Sequence, residues 1–187
     1  MIPAAPGSPA GGAPDGPIDG TPPDGAPLAE LTTMRVGGPA ERILVARDRD
    51  ELIAHATALW DSGEPWLLLG GGSNTVVNDE GYPGAVLLVR GTGIEPIEGE
   101  GSGSAPGIRL RVQAGHDWDE LVAECVERGW AGIEALSGIP GRVGAAPVQN
   151  IGAYGAELSD VLHSIEFLDR GASAPRRILA EDLELSY

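Results

Sequence analysis

The sequence contains no lysine. Its 12 basic side chains are all arginines, set against 28 aspartates and glutamates, for a formal net charge of −16. A lysine-containing phosphate loop is therefore excluded. A chain this acidic is also a poor partner for nucleic acid or an anionic membrane. Any phosphate-bearing ligand would have to be held by backbone amides and a few placed arginines. The single cysteine, Cys125, rules out an internal disulfide and a multi-cysteine zinc site. It lies in the apolar helical pattern Leu121-Val122-Ala123-Glu124-Cys125-Val126 and reads as a small core residue, not a reactive thiol. His55, His116 and His163 are scattered and do not form a metal-ligand pattern; each reads as a surface or structural residue. Glu51, Glu120 and Glu134 read as caps or solvated charges. No Gly-x-Ser-x-Gly elbow exists, which removes support for an α/β-hydrolase. No apolar run approaches the roughly 20 residues of a membrane span. The N-terminus lacks a basic segment followed by an apolar one, so a secretory signal is not expected and a cytoplasmic location is.

What is present is organised in blocks. Residues 1–27 hold 8 prolines and 6 glycines with almost nothing to bury, the pattern of a disordered leader. From Leu28 the sequence reads as a small α+β unit extending to residue 95. Arg42-Ile43-Leu44-Val45-Ala46 suits a strand. Asp48 and Glu51 form a helix-capping pattern ahead of Leu52, Ile53, Ala56, Leu59 and Trp60, which share one helical face. Trp66-Leu67-Leu68-Leu69 and Ala85-Val86-Leu87-Leu88-Val89 read as strands, and Thr75-Val76-Val77 as a further extended segment. Residues 98–107 are turn-rich and mark either a subdomain boundary or a long hairpin. Beyond them a second α+β unit, residues 96–187, is expected. It has a strand over 108–112, a helix capped by Asp117 and stopped by Gly129, and a strand over 161–168. A hairpin partner over 176–179 and a short helical turn over 180–184 complete it.

Two glycine-rich phrases carry the chemistry. The first is Gly70-Gly71-Gly72-Ser73-Asn74. Glycine lets backbone N–H groups approach an anion closely, and Ser73 and Asn74 add side-chain donors, so the run suits a pyrophosphate nest. It lacks the Gly-x-Gly-x-x-Gly spacing that opens a Rossmann helix. Taken alone, the run is equally a turn that only reverses the chain. The second phrase runs from Ser137-Gly138-Ile139-Pro140-Gly141-Arg142-Val143-Gly144 to Gln149-Asn150-Ile151-Gly152-Ala153-Tyr154-Gly155, with Arg142 its only charge. A stretch this apolar and irregular reads as half-buried, and buried irregular backbone needs partners for its polar groups. A cofactor rich in acceptors could supply them; a structural loop pinned by Asn150 is the alternative. The pair of phrases favours the cofactor.

The order and spacing of Leu31-Thr32-Thr33-Met34-Arg35-Val36-Gly37-Gly38, the Gly70–Asn74 run and the Asn150-Ile151-Gly152-Ala153-Tyr154-Gly155 phrase resemble the UDP-N-acetylenolpyruvoylglucosamine reductase family of bacterial peptidoglycan synthesis. The resemblance covers about residues 28–187. It implies an α+β FAD-binding fold of the vanillyl-alcohol-oxidase (PCMH) type, with two α+β subdomains and the C-terminal substrate domain missing. It implies FAD contacts from Arg35, Gly70, Gly71, Gly72, Ser73, Asn74, Thr75, Ser137, Ile139, Pro140, Gly141, Gly144, Asn150, Gly152, Ala153, Tyr154 and Gly155. It also implies NADPH as reductant and a UDP-sugar enolpyruvyl ether as substrate, reduced to UDP-N-acetylmuramate.

The family pattern continues past Leu185-Ser186-Tyr187 with an arginine that stabilises the enolate. A serine proton donor and a glutamate lie in the third domain. None of these is in the sequence, so no catalytic residue is expected here and the chain alone is expected to be inactive. Two alternatives remain at this point: the FAD-binding subunit of another flavin oxidase or dehydrogenase, and a non-catalytic flavin-binding module.

Overall fold

The computed structural model describes residues 21–97 and 107–185. Most of the expected leader and of the turn-rich insert, together with residues 186–187, lie outside the described residues.

The first unit is built on a parallel sheet. Strands β1 (Ala40–Ala46), β2 (Trp66–Leu69) and β3 (Tyr82–Val89) adopt the order β1-β3-β2. Both pairings are parallel, with Leu44 opposite Leu87 and Leu69 opposite Leu88. The central strand is covered on both faces, which is why its sequence is a continuous apolar run and not an alternating one. Val86 and Leu88 face one layer, against Leu28, Ile43, Leu69 and Val77. Ala85 and Leu87 face the other, against Ala46, Ala56 and Leu59.

Helix α1 (Arg49–Ser62) supplies that second layer. Asp48 accepts from the Glu51 N–H at 2.8 Å, and Glu51 reaches back to the Arg47 N–H at 2.8 Å. Gly63, in the left-handed region, ends the helix. Ordered packing starts earlier than Leu28: Ala26 is buried in the first layer, and Asp24 accepts from the Ile43 N–H at 2.8 Å. The proline- and glycine-rich composition missed this, because one buried alanine and one aspartate acceptor hold residues 24–26. Thr75, Val76 and Val77 join no strand; the β2–β3 crossover is irregular throughout, anchored by Val77 in the core.

The second unit packs around α2 (Trp118–Glu127). Strands β4 (Ile94–Ile97) and β5 (Arg109–Val112) pair antiparallel, so the turn-rich insert connects a hairpin, and the expected division at residue 95 falls inside β4. Ile94, Leu110 and Val112 pack with α2, whose buried face is Trp118, Leu121, Val122 and Cys125. Burial pushes the Cys125 thiol up, the environment of a core thiol. The remaining strands form two small hairpins: β6 (Gly152–Ala153) with β7 (Ala156–Glu157), and β8 (Ser164–Phe167) with β9 (Arg176–Leu179). β8 is shorter than expected because residues 158–160 form a 3-10 turn that carries the chain into it. Arg49 of α1 and Glu166 of β8 form a bidentate ion pair across 117 positions of sequence, and Leu168 packs against the α1 layer. The pair is exposed, so its contribution is small.

Trp118 is 2% exposed and its indole N–H donates to the Leu136 carbonyl at 2.9 Å. Trp118→Ala removes a large buried ring and orphans that carbonyl. It is expected to cost about 3–5 kcal/mol, read as a shift in the urea midpoint.

Candidate functional site

Gly70 follows the carboxyl end of β2, and Arg90 follows the carboxyl end of the neighbouring parallel strand β3. Ligands of open α/β sheets bind at this end of parallel strands. The Arg90 guanidinium donates to the Gly70 carbonyl at 2.8 Å and to the Val89 carbonyl at 3.0 Å. Burial, and then the nearby charge of Arg142, hold its pKa below the ordinary guanidinium value.

The glycine run leaves this strand end and packs tightly. A Cβ on Gly71 would stand 2.9 Å from the Gly141 Cα, and one on Gly72 would stand 2.2 Å from the Leu31 carbonyl oxygen. Gly72 also has φ +68°, a region that side chains disfavour. Both glycines are therefore required by close approach of backbone to backbone. Among the described residues, the N–H groups of residues 71–75 have no protein acceptor. Gly72 is buried. Gly71, Ser73 and Thr75 are half-buried and Asn74 is exposed. Buried backbone donors are rarely left without a partner, and successive unpaired amides in a glycine-rich turn can cradle an anion.

The two glycine-rich phrases meet here. The Ser73 hydroxyl donates to the Pro140 carbonyl at 3.1 Å, and the Asn74 amide donates to Gln149 Oε1 at 2.9 Å. These side chains, expected as donors to a ligand, lock one phrase to the other. A cavity of about 790 Å³ opens beside the junction, lined by Leu31, Thr32, Thr33, Arg35, Gly71, Arg90 and Arg142, with Ala29 and Glu30. Arg35 sits in the left-handed region at φ 54°, an uncommon conformation for a residue with a side chain.

The rest of the second phrase is distributed otherwise. The Ser137 hydroxyl and the Gly138 N–H both donate to Asp119 Oδ1, at 2.9 and 2.7 Å. Ile139 and Ala153 pack onto the α2 core, and Gly144 is pressed against Ala114. Asn150 is 1% exposed. Its amide donates to Glu157 at 2.8 Å, and its oxygen accepts from the Ser159 N–H at 3.0 Å. It pins the β6–β7 hairpin, whose two-residue turn is Tyr154 (φ 54°) and Gly155 (φ 82°), both left-handed as a primed turn requires. The turn presents Tyr154 at 96% exposure, while Val76 and Val148 stand exposed beside the Asn74–Gln149 bond. None of residues 150–155 lines the cavity. His116 gives its carbonyl to the Val143 N–H, and its ring nitrogens are enclosed without a partner among the described residues.

Residues 40–173 match the family described as FAD binding domain. The chain belongs to this FAD-binding family. A relative from Leifsonia xyli subsp. xyli, a UDP-N-acetylenolpyruvoylglucosamine reductase, is 54% identical over 160 residues, covering 86% of this chain and 41% of the relative. The chain thus spans less than half the length of that curated relative. The crystal structure of UDP-N-acetylenolpyruvylglucosamine reductase from Thermus caldophilus matches with a TM-score of 0.64 at 31% identity, over 87% of this chain and 54% of the other. Cholesterol oxidase from B. sterolicum matches with a TM-score of 0.58 at 14% identity, over 91% of this chain and 34% of the other, a likeness of fold alone. The fold is the α+β FAD-binding fold of the PCMH type. The acceptor-less amides of residues 71–75, beside two guanidiniums, fit the family's dinucleotide.

Sequence reasoning did not single out Arg90 or Asp119. An arginine directly after a fully apolar strand was the available signal for Arg90. Asp119 looked like one carboxylate of a capping cluster; its partners lie 18 and 19 residues further on.

Gly72→Ala forces a side chain into the left-handed region and against the Leu31 carbonyl. The backbone strain alone is expected to cost about 1–3 kcal/mol, measured by chemical denaturation. The Gly138 N–H and the Ser137 hydroxyl hold the Asp119 carboxyl below its ordinary range. A depressed folded-state pKa contributes stability that is present above the unfolded value, about 3.9, and is lost as pH falls through the folded one. The loop at Ser137 and Gly138 is therefore expected to loosen only below about pH 4. Asp119→Asn should remove that acid limb from a tryptophan-fluorescence titration.

Proposed function

We propose that this chain is the FAD-holding part of a UDP-N-acetylenolpyruvoylglucosamine reductase of peptidoglycan synthesis. The observation that carries the reading is the run of acceptor-less amides at residues 71–75, set at the carboxyl end of β2. The name of the Leifsonia relative, at 54% identity, favours this enzyme over the cholesterol oxidase likeness, at 14%.

FAD, when bound, supplies reversible two-electron hydride chemistry. The residues of this chain bind and orient. The amides of residues 71–75 donate to the diphosphate. Gly71 and Gly72 let the cradle pack against Gly141 and Leu31 by carrying no side chain. Ser73 and Asn74 hold the cradle against Pro140 and Gln149. Thr75 closes the amide run, and Arg35 stands on the cavity wall. Gly141 and Pro140 meet the cradle at Gly71 and Ser73, and Ser137, Ile139 and Gly144 brace that loop through Asp119, the α2 core and Ala114. Asn150, through Glu157 and Ser159, fixes the turn at Gly152, Ala153, Tyr154 and Gly155 that faces the flavin. On this reading residues 28–95 and 96–187 act as two subdomains about the cofactor, in the cytoplasm. NADPH is the reductant and a UDP-sugar enolpyruvyl ether the substrate. The enolate-stabilising arginine, the serine proton donor and the glutamate are assigned to residues other than these 187. Among the described residues no helix is long and apolar enough to cross a membrane.

Purified chain mixed with FAD and desalted is expected to stay yellow, with a flavin spectrum shifted from that of free FAD. A protein that is folded by circular dichroism yet colourless overturns the reading. Supplied with NADPH and the enolpyruvyl substrate, the flavin-loaded chain is expected not to turn over. NADPH consumption coupled to loss of the enolpyruvyl group would assign the proton donor to these residues instead.

A further inference from the structure

Two arginines flank Gly70. The Arg90 guanidinium donates to its carbonyl, and the Arg142 side chain lies 3.8 Å, at Cβ and Cγ, from where a Gly70 Cβ would stand. Both line the cavity that Gly71 also lines, and Arg35 stands on the same wall. Arg90 has only carbonyl partners among the described residues. Arg142 meets one carboxylate, Asp117, at 3.6 Å, and a second, weak contact to the Gly115 carbonyl at 3.4 Å. Asp117 is already engaged, since its Oδ1 caps α2 by accepting from the Asp119 and Glu120 N–H groups. The two guanidiniums are close enough for the charge of one to disfavour the charge of the other. Bringing like charges together at a half-buried site is unfavourable unless an anion completes it. In a chain of net charge −16, this concentration of arginine at one cavity runs against the background.

We infer that Arg90 and Arg142 form a two-guanidinium clamp on the FAD diphosphate, opposite the amide cradle of residues 71–75. The inference rests on the flavin reading above. The clamp supplies what the cradle lacks. Amide dipoles fix position, whereas forked guanidiniums give charge-assisted bonds, about twice as strong as neutral ones. Diphosphate also occurs in UDP compounds; the clamp is assigned to FAD because Gly71, the first residue of the cradle, lines the same cavity.

The test is titration of the full chain with FAD, riboflavin and UDP, followed by flavin fluorescence and, for UDP, by calorimetry. Arg142→Gln is the main variant, because the Arg142 side chain is 27% exposed, with folding checked by circular dichroism; Arg142→Lys keeps the charge. The expected result is FAD affinity weakened about tenfold or more in Arg142→Gln and partly rescued in Arg142→Lys, with riboflavin binding unchanged. Unchanged FAD affinity in Arg142→Gln overturns the clamp and leaves the flavin reading standing. Equal loss of FAD and riboflavin overturns it too, since the arginine then shapes the site without contacting phosphate. UDP binding lost in Arg142→Gln with FAD unaffected overturns the assignment to FAD. Folded wild-type chain that binds no FAD overturns the flavin reading and the clamp together. Arg90→Gln, if it folds, is expected to follow Arg142→Gln.

Discussion

Two glycine backbones approach each other closely at the centre of this molecule. Gly71 and Gly141 sit where a single methyl group would collide, at 2.9 Å, and the Ser73 hydroxyl closes the gap by donating to Pro140. The junction is held from both sides. The first phrase is delivered by the end of β2, an edge strand of the parallel sheet whose last residue, Leu69, is buried. The second is tied to α2, whose Trp118 N–H donates to the Gly141 carbonyl at 3.1 Å, while His116 accepts from Val143 at 3.0 Å. The first phrase has no regular structure, and the second has only a 3-10 helix over Val143–Gln149 and the two-residue strand β6, so their geometry depends on the two cores behind them. The amides of residues 71–75 have no acceptor among the described residues, since the loop's shape is set by backbone contact and not by its own hydrogen bonds.

Charge is arranged on the same plan. Several arginines pair with carboxylates at the surface, as Arg49 does with Glu166 and Arg111 with Glu95. Such exposed pairs contribute little to stability, about 0–1 kcal/mol each. Arg90 differs, since it is desolvated and held by carbonyls alone. An acidic protein that binds an anion must concentrate positive potential locally, and the ends of β2 and β3 are where the fold allows it.

The second glycine-rich phrase shows how one stretch of sequence can serve two purposes. Asn150 was readable either as a group that touches a cofactor or as a pin for its own loop. Its hydrogen bonds go to Glu157 and Ser159, so its own contacts are those of the pin. Its effect on a ligand would run through the hairpin it holds and the exposed Tyr154 at the tip. Ser137, by the same logic, is committed to Asp119. Composition marked the stretch as half-buried, but it does not say which polar groups the chain itself satisfies.

Local rules were enough for many of the elements, though not for the irregular segment at 75–77, β4 or the β6–β7 hairpin. The helix caps at Asp48 and Asp117, the stops at Gly63 and Gly129, the apolar run of β3 and the β8–β9 hairpin all depend on residues within a few positions of one another. They were legible for that reason. The two glycine phrases were visible too, because positive φ and close approach leave few residues other than glycine. Three features were settled by tertiary structure. The crossover order β1-β3-β2 brings Gly70 and Arg90 side by side. Packing of α2 presses Gly141 against Gly71. Hydrogen bonds from Ser73 to Pro140, 67 positions on, and from Asn74 to Gln149 join the two phrases. No periodicity or propensity reports a contact at that separation. The sequence determined which backbone could form an anion cradle, and the meeting of two cores decided that its first residue, Gly71, would line a cavity walled by arginine.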